Sequence, residues 1–136
     1  MPRELDAALE YAYLASPASI KFAPIQVRSE LREFLTLVQK LRPQRVVEIG
    51  TGRGGTLFLL TRVAAPEAVL VSSDLSSADD LRFGGGDVRR RRPLFEAFAL
   101  DAQRVHFLVG DPWNRGSNRG VLVEVGHRAS SVDALD

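Results

Sequence analysis

The segment Val46-Val47-Glu48-Ile49-Gly50-Thr51-Gly52-Arg53-Gly54-Gly55 restricts the fold more than any other part of the chain. Its first half, with Arg45, is a short apolar strand of the kind buried on both faces of a parallel sheet. Glycines at a strand-to-helix turn let the backbone take angles closed to other residues and approach a ligand closely. The run Thr56 to Val63 then continues as a helix. Strand, glycine turn and helix in that order describe the first half of a βαβ unit.

The rest of the chain extends that unit. Val69-Leu70-Val71-Ser72-Ser73-Asp74 reads as a second strand closing on an acid, and Val105-His106-Phe107-Leu108-Val109 as a third. Between them, residues 75–90 are polar and glycine-rich, and Pro93 to Leu100 reads as a helix. The basic run Arg89 to Arg92 reads as a solvated helix start. Strands separated by crossovers this long form a parallel sheet with right-handed connections. Ahead of it, residues 3–15 form a short helix with Leu5, Leu9 and Ala12 on one stripe, and two prolines make 16–24 a loop. Val27, Leu31, Phe34, Leu35, Val38 and Leu41 recur in steps of three and four, which predicts an amphipathic helix that Pro43 ends. Beyond Asp111 the pattern weakens, with Val121 to Val125 as a candidate fourth strand. The expected fold is α/β, a Rossmann-like parallel sheet with flanking helices. Residues 1–43 form an N-terminal helical extension and 44–136 a partial ligand-binding domain, in one compact unit.

Composition narrows the functional classes. At 136 residues and 45% hydrophobic, the chain can bury one core. Basic and acidic residues nearly balance, 18 against 17, so no general electrostatic pull towards nucleic acid or an anionic membrane is expected. There is no cysteine, which excludes disulfides and thiolate chemistry. No apolar run approaches the roughly 20 residues needed to span a bilayer, and the charged Met-Pro-Arg-Glu-Leu-Asp start lacks the core of a signal peptide. A cytoplasmic location is the expectation.

Gly50, Gly52 and Gly55 also satisfy the GxGxxG dinucleotide fingerprint, which is a weak signal alone. Two acids separate the readings. Glu48 precedes the first glycine at the carboxyl end of its strand, where it would meet a cationic ligand group and repel a pyrophosphate. Asp74 ends the second strand, where a carboxylate accepts hydrogen bonds from both ribose hydroxyls of a nucleoside. Asp74 fits either kind of nucleoside ligand, whereas Glu48 fits only a cationic one.

The stretch Glu48-Ile49-Gly50-Thr51-Gly52-Arg53-Gly54-Gly55-Thr56 resembles motif I of class I S-adenosylmethionine-dependent methyltransferases. It is most similar to the E-I-G-T-x-x-G-G-[ST] branch, which holds small-molecule O-methyltransferases and relatives of the cephalosporin hydroxylases. Val71 to Leu75, Arg82 to Gly86 and Val105 to Asp111 resemble the later motifs of that branch, and the helix with Gln26 and Glu30 the element before motif I. The resemblance covers roughly residues 22–114. It implies that Glu48, Thr51 and the backbone of Gly50, Gly52 and Gly54 surround the methionine end of S-adenosylmethionine. Asp74 would hold the ribose, Leu75 would pack on the adenine, and Asp111 would lie near the adenine amino group. Asp111 also reads as a turn residue after a strand, Thr51 and Arg53 as ordinary turn residues, and Trp113 as a cover for the sheet edge.

The family's sheet has seven strands, so the chain reads as its N-terminal half, truncated. Val123-Glu124-Val125-Gly126-His127 matches the family's acidic fourth-strand motif poorly, because it follows Asp111 too closely and has Gly126 in place of an acid. No catalytic base is named and no metal site is identified, although a divalent metal is compatible with the family. His106 sits mid-strand and reads as buried. The implied function is methylation of a small-molecule hydroxyl. The alternatives are a non-catalytic S-adenosylmethionine-binding or oligomerising remnant, and a nicotinamide-binding domain. An open sheet edge at residues 45–49 makes a homo-oligomer the expected state.

Overall fold

A computed structural model of the chain describes residues 1–15, 22–74 and 88–109. The candidate fourth strand, the glycine-rich connection at 84–86, Leu75, Asp111, Trp113, Glu124 and His127 lie outside the described residues. In chain order the elements are α1 (Leu5–Glu10), a wider π-helical stretch (Tyr11–Ala15), α2 (Arg28–Leu41), β1 (Arg45–Ile49), α3 (Gly55–Val63) and β2 (Val69–Asp74). A 3-10 turn (Val88–Arg91), α4 (Arg92–Glu96) and β3 (Arg104–Val109) follow. The strands pair in parallel in the order β1-β2-β3. Val47 lies beside Val71 and Glu48 beside Ser72, while Ser72 also pairs with Phe107 and Asp74 with Val109. Among the described residues this is a three-stranded, Rossmann-like parallel sheet.

One correction to the sequence expectation concerns the sheet faces. Along β1 the side chains alternate, with Arg45, Val47 and Ile49 exposed and Val46 and Glu48 half-buried. On β2 and β3, Leu70, Ser72, Val105 and Phe107 are buried and their neighbours half-exposed, His106 among them. One face is therefore covered and the other open among the described residues. The reason is topological. Right-handed crossovers that step repeatedly in one direction place every connecting helix on the same side of the sheet.

The covered side holds a single hydrophobic cluster that includes residues from α1, α2, α3, β2, β3 and the segment before α2. Its centre is a triangle of rings from three separate stretches. Phe22–Phe58, Phe22–Phe98 and Phe58–Phe98 have centroids 5.1, 5.2 and 5.3 Å apart in tilted or edge-on geometry, the arrangement that ring quadrupoles favour. α4 stops at Glu96, short of the expected Leu100. A turn closed by Phe98 N–H to the Phe95 carbonyl at 3.1 Å swings Phe98 into this triangle. On α2 only Leu31 and Leu35 are buried, with Val38 partly so. Val27, Phe34, Leu37 and Leu41 stay exposed, so the expected apolar stripe is wider than the surface it packs on.

Two buried polar side chains tie the periphery to α3. Gln103 donates to the Thr61 and Ala65 carbonyls at 2.8 and 3.0 Å and accepts from the Leu100 amide. Arg62 stacks over Phe58 at 4.2 Å and donates to the carbonyls of Pro2 and Phe98. Burial lowers the Arg62 pKa to about 10, which leaves it charged at neutral pH. No helix among the described residues is long and apolar enough to cross a membrane.

α3 begins where it does because Gly55 permits a close approach. A Cβ there would collide with the Phe22 carbonyl oxygen and the Pro24 ring nitrogen, so the segment before α2 lies directly on the start of α3. That contact anchors Phe22 in the ring triangle. Phe58→Ala is expected to remove about 3–5 kcal/mol of stability, the usual cost of emptying a fully buried ring position. Chemical denaturation followed by circular dichroism measures it, and a loss below about 1 kcal/mol would show that the triangle is not the centre of the core.

Candidate functional site

The glycine turn is stitched to the end of β2 one residue at a time. The amides of Gly50 and Thr51 donate to the Ser73 carbonyl at 2.8 and 3.3 Å. The Thr51 hydroxyl bonds the Ser72 hydroxyl at 2.5 Å, and the Gly52 amide donates to Asp74 Oδ2 at 2.6 Å. The Gly54 amide closes the turn on the Thr51 carbonyl at 2.8 Å. Gly50, Gly52 and Gly54 all have positive φ, of 90°, 51° and 90°. At Gly50, its chain neighbours aside, no atom of the described residues lies within 4 Å of where a Cβ would stand. Its need is therefore conformational, and the space beside its backbone is open to a ligand.

Glu48 lies beneath this turn. Ser72 donates to its Oε2 at 2.5 Å, and Oε1 has no hydrogen-bond partner among the described residues. Burial pushes the carboxyl up to about 7; the Ser72 hydrogen bond opposes that shift and the nearby Asp74 charge adds to it. Among the described residues no cationic side chain contributes to holding it ionised. Of the sequence-predicted residues, the structure thus brings Glu48, Gly50, Thr51, Gly52 and Asp74 together at the carboxyl end of β1 and β2. Gly54 caps α3 immediately behind them. Leu75 and Asp111 fall outside the described residues.

Some neighbours of the site were not foreseen. Ser72 is fully buried and bridges Thr51 and Glu48. Its signal was a hydroxyl between Leu70 and Asp74 on one face of β2, one position before Ser73 on the opposite face. Gln26 was placed on a helix, yet it precedes α2 in irregular backbone. There its side chain accepts from the Thr56 hydroxyl at 3.0 Å and its carbonyl accepts from Tyr13. Ile25 stands beside it, 88% exposed, with Cδ1 3.8 Å from the Cβ position of Gly52. The basic run is not simply solvated. Arg91 donates to the Arg53 carbonyl at the turn and Arg92 to the Phe107 carbonyl.

The geometry discriminates between ligand charges. A phosphate-binding turn aims amides at its ligand, but here the amides of Gly50, Gly52 and Gly54 are all engaged within the protein. The Glu48 and Asp74 carboxyls also stand near each other beside the turn, which disfavours an anionic ligand there. A ligand with a cationic end and a nucleoside hydroxyl pair suits the same groups. Among the described residues no cluster of three or more His, Asp or Glu side chains is placed to hold a metal ion.

Comparison with known proteins gives fold-level likenesses. No family model matches, and no curated protein matches. Several solved structures are similar. One is the O-methyltransferase TomG from Streptomyces achromogenes, involved in tomaymycin synthesis, in complex with SAM. It is 20% identical over 79% of this chain and 44% of that chain, with a TM-score of 0.47. Another is cofactor-bound Rv0187 from MTB, 19% identical over 94% of this chain and 67% of that one, with a TM-score of 0.46. The chain thus spans less than half the length of TomG.

Because Glu48 is harder to ionise folded than unfolded, it has a defined effect on stability. Between about pH 4.5 and pH 7 the folded chain keeps this proton while the unfolded chain releases it. Stability therefore falls as pH rises through that window, by about 3 kcal/mol in all from this group. Glu48→Gln is expected to lack that component, so the difference between the two proteins should grow from pH 4.5 to 7 and then level off. Parallel denaturation curves of the two proteins with no ligand present are the check.

Proposed function

We propose that this chain binds S-adenosylmethionine at the carboxyl end of β1 and β2 and forms the donor half of a methyltransferase acting on a small-molecule hydroxyl. The observation that carries the proposal is Glu48, a largely buried carboxyl with no cationic partner among the described residues, set beneath a glycine turn and beside Asp74. In this reading Glu48 takes the ammonium of the methionine end. The open side of Gly50 lets the thioether chain pass, and Asp74 holds the ribose. Leu75 and Asp111 are assigned to the adenine on the sequence resemblance alone.

The bound group supplies an already activated methyl on a sulfonium. What the chain contributes is alignment, by fixing both ends of the donor so that one methyl direction is presented to the acceptor. Engaged turn amides suit a ligand without phosphate, which disfavours the nicotinamide alternative.

Calorimetric titration with S-adenosylhomocysteine is the direct test. Binding is expected for the unaltered protein, with at least a tenfold loss in both Glu48→Ala and Asp74→Ala. NAD should give no heat. Affinity should also rise between about pH 6 and pH 8, because a cationic ligand end requires Glu48 ionised. A protein that binds NAD in preference to S-adenosylhomocysteine would refute the assignment.

We also propose self-association. The outer edge of β1 has no strand beside it among the described residues, and Val47 and Ile49 are 73% and 66% exposed there. In antiparallel pairing about Val47 this edge is complementary to itself, with Arg45 opposite Ile49 of a second copy. Light scattering should return a mass of at least two chains, and Val47→Lys should lower it to one; a monomer before substitution would refute the pairing.

A further inference from the structure

Ser72 has no exposed surface, so it touches no ligand directly, yet it occupies the centre of a line of side chains that ends in the proposed donor site. Thr51, 4% exposed, bonds it from the turn above at 2.5 Å, and it donates in turn to Glu48 Oε2 at 2.5 Å. A serine hydroxyl has one proton to give. With that proton on Glu48, the Thr51 hydroxyl is the donor to Ser72, and the line runs Thr51 to Ser72 to Glu48. Leu70, Val105 and Phe107 beside it on this sheet face are apolar, while Glu48 and Asp74 share the face towards the turn. A lone hydroxyl on such a face is costly unless it is hydrogen-bonded, and here both of its bonds belong to the site. Oε2 of Glu48 is thereby held towards the sheet, which leaves Oε1, without a partner among the described residues, for the ligand.

We propose that Ser72, backed by Thr51, is a positioning residue that fixes the Glu48 carboxyl so that its second oxygen receives the cationic end of the donor. The inference rests on the donor-site assignment and adds a discrimination to it. Ser72 sets affinity for the amino-acid end of the ligand and leaves affinity for the nucleoside end unaffected.

Two ligands separate these ends. S-adenosylhomocysteine has the nucleoside and the ammonium, whereas 5′-methylthioadenosine keeps the nucleoside and thioether and lacks the amino-acid end. Ser72→Ala is expected to weaken S-adenosylhomocysteine by about tenfold to a hundredfold, the range for a hydrogen bond to a charged group. It should leave 5′-methylthioadenosine within about twofold, and that retained binding also reports that the variant is folded. Thr51→Val, of nearly equal volume, should act in the same direction with a smaller loss, and Thr51→Ser should restore affinity. Equal losses for both ligands, or no loss for either, would overturn the positioning role while the donor site stands. Unaltered protein that binds only 5′-methylthioadenosine would overturn it too, since the ammonium would then make no use of Glu48. Unaltered protein that binds neither ligand would overturn the donor site and this inference together.

Discussion

The stitching of residues 50–52 onto residues 72–74 is the contact on which the rest of the site depends. Parallel pairing alone sets β1 and β2 side by side but says nothing about the chain once it leaves β1. Successive bonds from Gly50, Thr51 and Gly52 to Ser73, Ser72 and Asp74 continue the ladder beyond the strand as turn-to-strand contacts. The direction in which α3 departs is thereby set, and Gly55 arrives against the Phe22 carbonyl and Pro24. The segment 22–26 then borders the turn, with Gln26 on Thr56. The candidate site and the centre of the hydrophobic core are thus two consequences of one local arrangement.

The open sheet face has the same origin as the site's location. Strands added in one direction, β1 to β2 to β3, gather their helices on one side. Covering the opposite face requires winding away from the outer edge of β1. In open α/β sheets that reversal point is where ligands bind, beyond the carboxyl ends of the strands. Glu48 and the glycine turn stand on the strand where such a reversal begins. Exposed Val47 and Ile49 belong to that same strand. Site and open edge adjoin because both are properties of β1.

Much of this was legible in the sequence, for identifiable reasons. β1 and β2 matched residue for residue, and β3 differed by one, because short β-branched runs bounded by turn residues have few other uses. Glu48, Thr51, Gly52 and Asp74 were brought together because each lies within three residues of a strand's carboxyl end, where parallel pairing leaves little freedom. What was not legible depended on three-dimensional partners. An apolar run does not reveal whether one or both faces are covered, so β1 was expected to be buried on both. Ser72 looks no different from Ser73 until the pleat assigns one to the core and the other to the open side. Phe22, Gln26 and Gln103 act through contacts with residues distant along the chain, and no local period announces them.

Glu48 shows how a destabilising feature becomes a selective one. A carboxyl at this depth, with a second acid nearby and no cation beside it among the described residues, keeps its proton part of the time near neutral pH. An apolar residue at position 48 would relieve that cost to the fold and would remove the carboxylate that the proposed reading assigns to a cationic ligand end. The Ser72 bond partly offsets the cost by favouring the charged form. It leaves room for a further cation to complete the effect. A stronger internal partner, such as an arginine, would stabilise the empty protein and occupy the charge that a ligand needs. A neutral hydroxyl is therefore better suited than a cation to support Glu48, because it orients the carboxyl without neutralising it.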